Sequence, residues 1–193
     1  NPNAPAVASQ TPVAGASVSH LTQLTVSFSE SVTGVEAADL LVNGTPAAGV
    51  SGSGFTYTFS FPQPPYGTVS IGWAGSHGIW DLEVPPNAFD TTRPGSTWTC
   101  TLVDQTPPAI ASQNPVPGAL VTNLTQIAVT FTEPVGGVDA FDLLINGVRA
   151  SAVSGGPTTY AFTFSQPNAT IINIAWANAH GIRDLAPVAN PFD

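Results

Sequence analysis

The sequence predicts an all-β protein of two tandem modules, and three observations predict it. Residues 1–90 and 104–193 align at a constant offset of 103 with no gap and 46 identities in 90 positions. Apolar residues recur at every second position in both copies, which is the period of a half-buried strand. Asn-Gly, Gly-Ser and Pro clusters punctuate those runs at short intervals. A repeat of about 100 residues is an ordinary size for one hydrophobic core. The modules are therefore placed at 1–103 and 104–193, and the repeat has to be explained before any single residue.

The elements of the first module follow in order. A Pro-rich start leads into a strand over about residues 5–10. Leu24, Val26 and Phe28, alternating with Thr and Ser, give a second strand at 22–29, and Glu36–Asp39 fits one helical turn. A third strand (39–42) and a fourth (46–50) flank Asn43-Gly44, a hairpin signal because both central residues of a type I′ turn need positive φ. Ser51-Gly52-Ser53-Gly54 predicts a turn before a fifth strand (55–61) with Phe55, Tyr57, Phe59 and Phe61 inward. The Pro-rich stretch 62–67 precedes a sixth (68–74) with Val69, Ile71 and Trp73, and the seventh (96–103) carries Trp98, Cys100 and Leu102. The second copy repeats the pattern with Ile127, Val129 and Phe131, then Asn146-Gly147, then Tyr160, Phe162 and Phe164, then Ile172, Ile174 and Trp176. Seven short strands in about 100 residues is the count of an immunoglobulin-like sandwich. The predicted fold is two tandem immunoglobulin-like β-sandwiches, the second lacking its last strand.

Composition narrows the function. Charged residues make up 8%, Lys is absent, and three Arg face twelve carboxylates for a net charge of −9. Such a surface repels nucleic acid and anionic membranes and attracts cations. No apolar run approaches the roughly 20 residues that span a bilayer, so membrane insertion is not predicted. A chain with 42% apolar residues in alternation has enough to form cores rather than remain disordered. Thr, Ser, Gly, Asn and Pro supply the polar surface, which suits a secreted or cell-surface protein. Cys100 stands alone, so it forms no intrachain disulfide and reads as a small core residue. The chain opens at Asn1 without Met, which fits either a removed signal peptide or a segment of a longer protein.

The pattern of a Pro-rich start, "TVSFSESV" or "AVTFTEPV", "DLLVNG" or "DLLING", an aromatic "TYTF" strand and "HGIxDL" followed by Asn and Phe-Asp resembles the bacterial immunoglobulin-like (Big-type) repeats of secreted and surface proteins. The resemblance covers both copies and rests on fold markers. It implies an extracellular architectural module and carries no reaction with it. The family motif usually closes with Gly-Asn after the Asp; here 84–87 and 187–190 keep Asn87 and Asn190 but lose the Gly.

Because successive strands alternate in direction, the connections after the second, fourth and sixth strands share the end at which the first begins. Eleven of the twelve acidic residues fall in two of those connections: Glu30, Glu36, Asp39, Asp81, Glu83 and Asp90, then Glu133, Asp139, Asp142, Asp184 and Asp193. The twelfth, Asp104, lies in the linker, which delivers it to the acidic end of the second module. Carboxylates gathered in this way predict a Ca²⁺ site of Asp104, Glu133, Asp139 and Asp184 at the module junction. The competing reading is that loop Asp and Glu cap turns and satisfy backbone N–H groups. No EF-hand or repeat-in-toxin motif is present.

Catalytic chemistry is not predicted. His77 and His180 are each followed four residues later by Asp, but no nucleophile repeats with them: Ser76 becomes Ala179. An imidazole bonded to a loop carbonyl is the expected role. Three His and one Cys in separated places make no zinc motif, and no phosphate-cradling Gly loop occurs. The absence of Lys excludes Lys–Asn isopeptide bonds and Schiff-base chemistry. Tyr66 and Trp80, at opposite ends of the first module, are replaced by Ala169 and Arg183, so no repeated sugar-stacking face is visible. Sequons occur at Asn43, Asn123 and Asn168.

Two full periods would occupy 206 residues, thirteen more than the 193 present, and the missing part is the seventh strand of the second copy. The favoured expectation is a longer repeat protein continuing beyond Asp193; the competing one is a neighbouring molecule that donates a strand and polymerises the chains into a filament. The predicted role is a non-catalytic structural module of an extracellular bacterial stalk, fibre or surface protein, whose partners are adjacent immunoglobulin-like modules. The alternative is a carbohydrate- or protein-binding accessory module of a secreted enzyme.

Overall fold

The structure is a computed structural model that describes residues 4–193; the expectations for residues 1–3 lie outside the described residues. It is all-β, with several sheets and, among the described residues, helix only in two 3-10 turns, Ala37–Asp39 and Ala140–Asp142. The chain divides into two compact units, Asn1–Val103 and Asp104–Asp193.

In the first unit β1 (Val7–Thr11), β2 (Ser17–Val18), β3 (Gln23–Phe28), β4 (Val32–Thr33), β5 (Leu40–Val42), β6 (Thr45–Pro46), β7 (Gly49–Ser53), β8 (Thr56–Ser60), β9 (Gly67–Trp73), β10 (Trp80–Asp81) and β11 (Trp98–Leu102) form two main sheets. Their orders are β1-β3-β8-β7 and β2-β11-β9-β5-β6, and β4 with β10 makes a two-stranded ribbon. The alternating residues of both sheets point at each other. Val26 and Phe59 from one and Leu40, Val69, Ile71, Cys100 and Leu102 from the other share one buried cluster. Each such side chain contributes roughly 1.5–3 kcal/mol by leaving water. Phe89 packs edge to face on both Phe28 and Trp73 at the acidic end of this core, with centroids 4.9 Å apart for Trp73–Phe89 and 5.3 Å for Phe28–Phe89.

The first strand changes sheets. Pro12 has no N–H to continue the ladder, and the chain turns at Gly15, whose φ is +77°, so that β1 pairs antiparallel with β3 while β2 pairs parallel with β11. The predicted fourth strand divides in the same way: β6 pairs with β5 in one sheet and β7 with β8 in the other. The turn placed at 51–54 begins only at Gly54, because Ser51–Ser53 pair with Thr56–Thr58. Phe55, expected inward, therefore sits in the turn and is 57% exposed. Asn43 has φ +50° and Gly44 +79°, as the hairpin signal requires.

The second unit contains β12 (Ile110–Asn114), β13 (Gln126–Phe131), β14 (Val135–Gly136), β15 (Leu143–Ile145), β16 (Val148–Arg149), β17 (Ala152–Gly155), β18 (Thr159–Thr163), β19 (Ile174–Trp176) and β20 (Arg183–Asp184). Its sheets are β12-β13-β18-β17, β16-β15-β19 and the ribbon β14-β20. The main difference from the first unit lies in the sheet that carries β19. In β9 the residues 67–70 pair only with β11, since β5 reaches no further than Ile71. Among the described residues there is no counterpart of β11, the equivalent stretch 170–173 joins no ladder although Asn173 bonds to Asn146 through both its N–H and its C=O, and β19 has three residues. Leu120 and Val121, aligned with β2, likewise form no strand. Trp176, expected in the core, is only half-buried.

Candidate functional site: the carboxylate loops

Most of the acidic residues hold backbone. Asp39 and Asp142, each 6% exposed, end the two 3-10 turns, and their Oδ2 atoms accept the N–H of Glu36 at 2.8 Å and of Asp139 at 2.7 Å. Asp81 and Asp184 are buried on the short ribbons. The Oδ1 of Asp81 accepts from the Glu83 and Asn87 N–H groups, and its Oδ2 takes the Asn87 side-chain amide. Asp184 repeats every one of these bonds with Ala186 and Asn190. Asp and Asn six residues apart thus clamp a loop that has no regular ladder of its own. Desolvation works to raise the Asp81 pKa, yet the bonds from Asn87 and Glu83 together outweigh it and hold the carboxyl below its ordinary value.

The histidines stand against the Phe89 and Phe192 rings, with centroids 5.5 and 5.4 Å apart. The carbonyl partner expected of them is not what His77 meets: its Nδ1 accepts the Ile79 N–H at 3.3 Å. The imidazole replaces a missing backbone acceptor in the loop. His180 Nδ1 is buried with no hydrogen-bond partner among the described residues.

Of the four residues assigned to a cation site, three come together. Carboxylate oxygens of Asp104, Glu133 and Asp184 lie within 4.8 Å of one another in the second unit. Asp104 enters from the start of that unit, held by the Thr106 N–H on its Oδ1 at 2.9 Å and by the Asn190 amide on its carbonyl at 3.2 Å. Glu133 follows β13 and Asp184 lies on β20. Asp139 does not join the group; it is exposed and caps its own 3-10 turn in reciprocal bonding with Asp142. Burial, then the charges of Asp104 and Asp184, raise the Glu133 pKa. Glu30 in the first unit is raised by burial, Asp81 and Glu83. Oxygen donors this close suit a hard cation, and without one they repel.

The other singled-out residues are dispersed. Tyr66 and Trp80 are 39% and 43% exposed, Cys100 is 2% exposed, and Asn43, Asn123 and Asn168 are all exposed. Asn43 Oδ1 accepts the Ser70 N–H at 2.8 Å, and Asn146 does the same for Asn173. The sequence reading missed the Asp–Asn clamp; the repeated six-residue spacing of Asp81–Asn87 and Asp184–Asn190 was its signal.

No family model matches the chain, and no curated protein matches it. Among solved structures it is similar to the N-terminal part of the bacterial S-layer protein SbsC, at 16% identity and a TM-score of 0.37. That alignment covers 92% of this chain and 42% of the other, so the chain spans about two-fifths of the length of that structure.

Proposed function

We propose that the chain is a pair of immunoglobulin-like β-sandwiches acting as load-bearing, non-catalytic modules of an extracellular bacterial surface or stalk protein. One observation carries the mechanical reading. In the first unit the N-terminal β2 and the C-terminal β11 run parallel, joined by Gly15 N–H to Thr99 O (2.7 Å), Thr101 N–H to Ala16 O (2.8 Å) and Val103 N–H to Val18 O (2.9 Å). Tension applied through the two ends of that unit loads these bonds in shear, all at once, instead of unzipping them singly.

The rest of the molecule supports the same reading. The polar contacts that recur in both copies secure loops, while exposed residues such as Trp80 and Tyr66 are not kept in the second copy. A surface of Thr, Ser and Asn with no Lys suits the outside of a cell. Force spectroscopy of the full chain tests the proposal. Val103→Pro deletes one of the three N–H donors just past the end of β11 and lowers the unfolding force of the first unit; an unchanged force sinks the mechanical role.

The trio Asp104, Glu133 and Asp184 is, in this reading, where the second unit takes up Ca²⁺. Calorimetric titration reads it directly. No heat at millimolar Ca²⁺, together with an unchanged melting temperature in chelator, removes the cation from the proposal.

A further inference from the structure

The second unit carries a groove of about 650 Å³, bordered by Val116 to Val121 on one side and Thr170 to Ile174 on the other, with the apolar side chains of Ile127, Val129 and Trp176 at its floor. The exposure of its walls is unusual for such residues: Leu120 is 102% exposed, Ile171 75%, Val121 46% and Ile174 39%. The aligned position of Ile174 in the first unit, Ile71, is 2% exposed, and Val69, aligned with Ile172, is 0%. In that unit β11 fills the space.

We infer that this groove is the seat of an added β-strand of the β11 kind, an extended segment with large apolar side chains at alternate positions and small polar ones between them. The first unit supplies the template. There Trp98 faces Ile71, Cys100 faces Val69 and Leu102 faces Gly67, antiparallel to β9, and those three side chains are 7%, 2% and 1% exposed. Carried over at the repeat offset, the incoming strand sets its first apolar residue opposite Ile174, its second opposite Ile172 and its third opposite Thr170. Its outer edge then meets Leu120 and Val121 as β11 meets Ser17 and Val18 in parallel.

Both backbone and side chains gain. The unpaired edge of β19 offers N–H and C=O groups along a line. Residues 170–173, which now have no ladder partner, extend β19 to the length of β9. Burial of the Ile172, Ile174 and Val121 side chains supplies the apolar driving force. A small apolar ligand would cover the floor and leave that backbone edge unpaired, so the strand fits the groove better.

The probe is a labelled peptide with the sequence of Ser96–Val103 carrying Cys100→Val, titrated into the full chain. Saturable binding is expected, accompanied by slowed amide exchange across 170–174. Ile174→Asp in the chain, or Trp98→Asp with Leu102→Asp in the peptide, weakens binding on the order of tenfold or more. As a second measurement, residues Thr91–Val103 are appended after Asp193, which raises the melting temperature of the second unit. Equal binding of the Asp-substituted peptide overturns the inference, and so does an appended strand that changes neither melting nor exchange. Concentration-dependent dimerisation that protects 170–174 without peptide overturns it in favour of a second copy of the chain.

Discussion

The Asn87 side-chain amide sits 2.7 Å from Asp81 Oδ2, and 103 residues later Asn190 stands 2.8 Å from Asp184 Oδ2. The pair explains what the conserved spacing between the copies is for: one ionised carboxylate gathers donors from a loop that lacks a ladder. Its pH dependence follows from the depressed pKa of Asp81. The folded chain holds this proton less tightly than the unfolded chain, whose value is near 3.8. The stabilisation is thus present above that value and lost as pH falls through the lower folded one. Asn87→Ala removes one of the donors that depress it, so acid unfolding of the first unit, followed by tryptophan fluorescence, moves to higher pH.

Glu133 runs in the opposite direction. Burial and the neighbouring Asp104 and Asp184 raise its pKa above the ordinary 4.5, so the folded chain binds this proton more tightly. Its contribution to stability is complete below 4.5 and declines as pH rises through the raised value. Glu133→Gln keeps the shape and removes the repulsion. Its melting temperature at neutral pH, without divalent cations, is expected to exceed that of the parent, and the difference is expected to vanish at low pH.

Gly34 and Gly137 bring the short ribbons against the following loops. Both have φ of +73°, and a Cβ on either would run into the carbonyl oxygen of Gly78 or Gly181. Gly34→Ala and Gly137→Ala each combine backbone strain with a clash against main chain that cannot swing away, at a cost of more than about 2 kcal/mol. Denaturant midpoints with an unchanged slope measure it.

Tyr57 and Tyr160 hold the same ribbons from the core side. Their hydroxyls donate to the carbonyls of Val32 at 2.9 Å and Val135 at 2.8 Å. Tyr57→Phe leaves the buried Val32 carbonyl without this donor, which costs about 1–2 kcal/mol. The effect on Tyr160→Phe is expected to be smaller, because that bond is only partly buried.

What the sequence made legible was whatever repeats with period two. Val26, Phe59, Val69 and Cys100 lie where alternation puts them, and Asn43-Gly44 turns as its φ preference demands. The two-residue strands β4 and β10 carry too short a run to show any period. The division of 45–53 between two sheets depends on which neighbours the backbone finds, and propensity does not report that. Strand polarity was enough to bring Asp104, Glu133 and Asp184 to one end. It could not tell that Asp139 is engaged in capping, since Asp at a loop serves either purpose.

Ile71 and Ile174 occupy one position in the two copies and differ in surroundings, 2% against 39% exposed. Deleting the Ile71 side chain to Ala opens a cavity between two sheets that cannot collapse, at about 2–5 kcal/mol. Deleting Ile174 to Ala removes a side chain already in contact with water at the groove, so less than about 1 kcal/mol is expected. Native-state hydrogen exchange reads each unit through its own amides, Val26 and Phe59 for the first and Val129 and Phe162 for the second. With the strand of residues Thr91–Val103 appended after Asp193, the cost of Ile174→Ala climbs toward that of Ile71→Ala, because the added side chains now surround the position. Equal costs in the parent chain would mean that the groove is already closed in solution.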